Sequence, residues 1–139
     1  MTKEKIVRIL QIALGINFLW FGTLKFFPGF SPAEGLAIST IDWMFQGLIP
    51  SDISIKLLAI WEVTLGITLI GNILPKYILP FFIVHMSLTF LPLFIFPKLC
   101  FTHLPYALTI EGQYIVKNLI LLSAGILLYI EVGLWHKKI

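Results

Sequence analysis

Four unbroken apolar runs, each about 20 residues long, limit this chain more than any motif in it, because that is the length of helix needed to cross the hydrocarbon core of a bilayer. They extend over residues 6–27, 53–74, 77–96 and 114–134 of the 139-residue chain. Hydrocarbon offers backbone amides no water, so each run must satisfy its own N–H and C=O groups, and none shows the two-residue alternation of a barrel strand. The expected fold is all-α: an integral membrane four-helix bundle forming a single domain over residues 1–139, with a partly helical outer loop at 28–52. Composition agrees, since 58% hydrophobic and 12% charged residues, with a mean hydropathy of +0.96, leave too little polar surface to coat a soluble domain. The first run reads as a retained span and not a cleaved signal, because Lys25 stands at its end and no small-residue cleavage site follows.

Lysine and arginine set the expected orientation. Lys3, Lys5 and Arg8 precede the first span, Lys76 separates the second from the third, and Lys137 and Lys138 close the chain. That face, with both termini, is expected to be cytoplasmic. The formal charge of +3 fits this topology and anionic headgroups better than nucleic acid, for which no basic-aromatic patch exists. In the outer loop, Ser31, Pro32 and Glu34 predict a helix start with serine as the cap. The stretch STIDWMFQGLIP that follows suits the membrane interface. Pro80 and Pro92 predict kinks in the third span.

The polar residues inside the spans are the candidates for function. Glu62 falls near mid-bilayer, with Ala59 and Gly66 on its face, where an ionised carboxylate needs a partner, a proton or water. Lys117 is the expected partner, with Asn118 beside it and Gln113 one turn away on the face of Lys117. Asn17 lies near mid-depth on the first span as interhelical hydrogen-bond glue. Lys25, at the outer end of its helix, is expected to snorkel outward. His85, alone on an apolar helix, reads as a core histidine and not a metal ligand. Gly15 and Gly22, one heptad apart, offer a homodimer surface. Cys100 is the only cysteine, so no dithiol centre forms within one chain. There is no phosphate loop, nucleophile elbow or zincin motif, so no catalytic residue is assigned and no metal is expected.

Three stretches together resemble the DoxX family of small four-span membrane proteins: LGINFLWFGTLKF, IWEVTLGITLIGN and LTIEGQYIVKNLILLSAGILL, the last through EGQYIVKN at Glu111 to Asn118. The resemblance implies a multi-pass protein of the bacterial cytoplasmic membrane, often associated with redox chemistry, and it picks out Lys25, Glu62, Lys117 and Asn118. The leading expectation is a membrane subunit that holds a quinone-like or amphipathic ligand, or docks a redox partner protein, at Glu62, Lys117, Asn118 and Lys25, with Asn17 and Gln113 nearby. A quinone is the one cofactor this suggests, and the bilayer the one certain partner. Two other classes compete: a small proton-coupled transporter using Glu62, and a non-catalytic scaffold or assembly factor whose buried charges only fix helix register.

Overall fold

A computed structural model of the chain describes residues 1–137; Lys138, and the side chain of Lys137, counted among the charges above, lie outside the described residues. Four helical segments are long and apolar enough to span a membrane: Lys3–Leu24, Ser51–Gly71, Pro75–Ile95 and Ile110–Leu134. The first is α1 (Lys3–Leu24), started by Thr2, whose side chain accepts a hydrogen bond from the Lys5 amide. The second, α3 (Ser51–Gly71), stops where Asn72 takes a left-handed φ of 55°. Asparagine tolerates that conformation better than other residues with a Cβ.

The third span is broken, not merely kinked. It begins as α4 (Pro75–Leu88), which contains Pro80 without interruption, and resumes as α5 (Leu91–Ile95). Pro92 has no N–H to offer the carbonyl four residues back, and its ring crowds that carbonyl. Thr89 bridges the break, its hydroxyl donating to the Met86 carbonyl at 2.6 Å. The last span belongs to α7 (Ile110–Lys137). Lys3 and Glu131 pair at 2.8 Å, bringing the start of α1 to the finish of α7. This is the terminal end of the bundle.

The other end, the hairpin end, carries the remaining elements: α2 (Glu34–Phe45), a short α6 (Pro97–Cys100), and the strands β1 (Phe101–His103) and β2 (Ala107–Leu108), which pair antiparallel. The outer loop is partly helical, as expected, but it starts differently. Ser31 turns its hydroxyl to the Pro32 carbonyl, and Ala33 takes a left-handed φ of 54°. Glu34 then accepts from the Gly29 amide at 2.9 Å. The expected serine cap is replaced because the Gly29 turn (φ +82°) places its own N–H within reach of that carboxylate. From α2 onward Trp43, Met44, Phe45 and Leu48 are exposed.

Two apolar cores divide the bundle along its length. The larger joins Val7, Leu14 and Phe18 of α1 to Leu65 and Leu69 of α3, Leu79, Phe82 and Met86 of α4, and Leu128 and Val132 of α7. The smaller, at the hairpin end, gathers Leu36, Cys100 and Ile115 under Phe90, Leu93, Phe96 and Phe101. Cys100 is wholly buried, and its thiol donates to the Pro92 carbonyl at 3.5 Å. Burial pushes this thiol above its ordinary value, and the nearby Glu111 carboxylate adds to the shift. A raised pKa leaves less thiolate at neutral pH, and the thiolate is the reactive form. Folded protein is therefore expected to resist a maleimide reagent at pH 7 and to take one label per chain after denaturation in dodecyl sulfate. Rapid labelling of the native protein would refute the burial.

Candidate functional site

Close packing of α1 against α3 positions the site. A Cβ at Gly66 would lie 2.6 Å from the Leu19 amide and 2.8 Å from the Gly15 carbonyl, and one at Gly22 would lie 2.9 Å from the Glu62 Cβ. Three glycines thus let α1 and α3 touch backbone to backbone. This corrects one expectation: Gly15 and Gly22 are consumed inside the chain, facing α3, and do not form a homodimer surface.

Gly22 against Glu62 puts Lys25 one turn further along α1, on the same face. Lys25 Nζ meets Glu62 Oε2 at 2.6 Å and also approaches the Phe21 carbonyl at 3.5 Å. His85 Nε2 of α4 lies 3.4 Å from the other carboxylate oxygen, Oε1. Three helices therefore contribute one cluster. Glu62 is the twelfth of the 21 residues of α3, and His85 is the eleventh of the 21 in its span, so the charge sits at mid-span on both.

The expected partner was wrong, and the reason is directional. Side chains in an α-helix lean toward its N-terminus. Since α1 begins at the terminal end, Lys25 at its far end leans back into the bundle, toward Glu62, and does not snorkel outward. Lys117 is exposed instead. At its level α7 packs through Gly112 and Ile115, both buried, and two residues beyond Ile115 is about 200° around the helix. Gln113 lies on that exposed side too. Asn118 turns to α4, where its amide donates to Thr89 Oγ1 at 3.1 Å. Asn17 is half-buried on α1, one turn from Phe21. The structure thus gathers Lys25 and Glu62 of the six sequence candidates, adds His85, and leaves Asn17, Gln113, Lys117 and Asn118 outside the cluster.

The walls of the cluster are aromatic. Phe18 and Trp61 both stand edge-on to His85, at centroid distances of 5.9 and 6.5 Å. The Lys25 and Glu62 side chains are each 11% exposed and His85 is 14% exposed, so the group is sheltered without being sealed. With a neutral imidazole the three side chains sum to zero charge. Protonated, they sum to +1. The 2.6 Å contact fixes the Lys25–Glu62 pair, and the imidazole meets the carboxylate oxygen that the lysine leaves free.

A second polar group closes the terminal end. Arg8 donates to the Leu69 carbonyl at 3.1 Å and to that of Ile70, while Gln11 Nε2 donates to Leu69 O and Asn72 Oδ1, both at 3.0 Å. Leu69 and Ile70 lie in the last turn of α3, where carbonyls run out of regular helical partners; the Asn72 amide also donates to Leu69 O, at 3.3 Å. Sequence reasoning had assigned Arg8 only to topology and had passed over Gln11. The signal was present: Gln11, Gly15, Phe18, Gly22 and Lys25 recur at spacings of three and four, which is one face of a helix. No family model, no curated protein and no solved structure matches this chain.

Proposed function

We propose that the chain is a DoxX-like membrane subunit, placed in the bacterial cytoplasmic membrane with both termini cytoplasmic, which binds the head of a quinone-like amphipathic ligand at Lys25, Glu62 and His85. The observation that carries this reading is the cluster itself: a carboxylate held at mid-span by a lysine, with an imidazole on its second oxygen. Such groups are costly in hydrocarbon and mark sites of function. A carbonyl-bearing head finds hydrogen-bond donors in Lys25 and in protonated His85, and aromatic surface in Phe18 and Trp61. Glu62 orients Lys25 and balances its charge. Any electrons come from the ligand or from a redox partner protein, since the side chains of the cluster include no redox group. Fixed pairing of Glu62 with Lys25 is what makes the transporter reading weaker, because proton-coupled exchange uses a carboxylate free to trade its proton for cargo.

Native mass spectrometry of protein purified in mild detergent tests the proposal. Wild type is expected to carry a small amphiphile of quinone type that is absent from Glu62→Gln and from His85→Phe, both still eluting as folded protein. Wild type that is empty, and stays empty when offered a menaquinone or ubiquinone analogue, would sink the ligand-binding reading and leave the scaffold.

A further inference from the structure

Four helix seams surround the Lys25 cluster, and they are closed in different ways. Between α1 and α3 the backbones touch through Gly15, Gly22 and Gly66. Between α4 and α7 a Cβ at Gly125 would run into the Phe82 ring, and the Asn118 amide is bonded to Thr89. Each of the other two seams is covered by one pair of rings, edge-on at 6.3 Å: Phe21 with Tyr114 between α1 and α7, and Trp61 with Phe81 between α3 and α4. Their depths differ. Tyr114 is the fifth residue of α7, close to the hairpin end, whereas Trp61 and Phe81 flank the Glu62–His85 contact at mid-span. Trp61 adjoins Glu62 in sequence and lies one turn from the exposed Leu57, while Phe81 lies one turn from His85 and is itself 61% exposed. Trp61 also stands edge-on to His85 at 6.5 Å. On this side one half-buried ring separates the Glu62–His85 contact from the bilayer, at a level where the bilayer offers hydrocarbon and no water.

We propose that the ligand of this cluster enters sideways from the hydrocarbon through the α3–α4 seam, with Trp61 as the gate, and is a lipid-dissolved molecule with an uncharged, planar head. The inference rests on reading the cluster as a ligand site. A change of rotamer at Trp61 opens the seam without moving backbone, an option that the glycine contacts deny to α1 and α3. A charged head would bear a cost of several kcal/mol in crossing hydrocarbon at mid-span. A neutral carbonyl-bearing ring avoids that cost and meets its hydrogen-bond donor only at Lys25. A planar head also exchanges one edge-to-face aromatic contact for another as it passes Trp61 and Phe81.

The test is photolabelling of the protein in lipid nanodiscs with two carbene precursors, a trifluoromethylphenyl diazirine confined to the lipid and a charged diazirine confined to water, with adducts located by peptide mass spectrometry. Wild type is expected to take lipid-borne adducts on Phe81, and water-borne adducts on neither Glu62 nor His85. Trp61→Ala should raise the lipid-borne adducts on Glu62 and His85 severalfold. Phe81→Ala, at an exposed position where the core loses nothing, should raise them less and keeps the test alive if Trp61→Ala fails to fold. Phe21→Ala should leave them at the wild-type level. Equal labelling of Glu62 and His85 in the Trp61 and Phe21 variants, or water-borne adducts at the cluster in wild type, would overturn the route. A short-chain ubiquinone analogue should then protect the cluster of Trp61→Ala from labelling, and oleate should not. Equal protection by oleate would overturn the uncharged head, and labelling that follows the seam with no protection by either would sink the ligand reading while the route stands.

Discussion

Replacing Lys25 with methionine is expected to destabilise the folded protein by about 3–5 kcal/mol, the usual cost of removing one partner from a buried ion pair. The lysine stem is kept, so packing changes little. What is lost is the counter-charge 2.6 Å from Glu62 Oε2, in a position where water can supply little of it. The double variant Lys25→Met/Glu62→Met removes both charges and is expected to return to within about 1 kcal/mol of wild type, or to exceed it. Thermal unfolding in detergent, followed by size-exclusion chromatography, measures all three proteins. A double variant as unstable as the single one would show that Lys25 matters through its packing and not through Glu62.

Gly66→Ala should be comparably severe, although it adds only one methyl group. The new Cβ would sit 2.6 Å from the Leu19 amide and 2.8 Å from both the Gly15 carbonyl and the Leu19 Cα. These are backbone atoms of α1, which cannot rotate aside as a side chain can. The helices must separate, and overpacking of this kind costs about 1–3 kcal/mol or more. Separation also pulls Lys25 from Glu62, so the two losses compound. Gly35→Ala is the matched control: it lies in α2 with no atom within 4 Å of the added Cβ, and it should stabilise the protein by up to about 1 kcal/mol through helix propensity. Equal melting temperatures for the two variants would contradict the backbone contact between α1 and α3.

The four spans were legible in the sequence because apolar length alone defines them, and helix ends moved by only a few residues. Glu62 was legible as well, since a carboxylate in such a run demands an explanation. Its partner was not. Depth had been counted along each helix separately, which placed Lys25 at a surface and Lys117 in the outer half of the fourth span. What decides between them is which way a side chain leans and how two helices cross, and the crossing is set by the glycine contacts of Gly15, Gly22 and Gly66. Gly15 and Gly22 had been noticed on α1 and assigned to a partner outside the chain. The strand pair at Phe101–His103 and Ala107–Leu108 left almost no periodic signal, because two or three residues are too few for alternation to show.

The pairing of Lys25 with Glu62 also bears on how such a chain enters a membrane. Spans are delivered in order from the ribosome, and a carboxylate left alone at the centre of a bilayer raises the cost of insertion by several kcal/mol. The cation that meets Glu62 stands on the span made immediately before it, with only the short loop and α2 between them. When α3 arrives its counterion is already in place, and the two spans can partition as a neutral unit. A partner at Lys117, on the last span to emerge, would have left Glu62 bare while two further helices were synthesised.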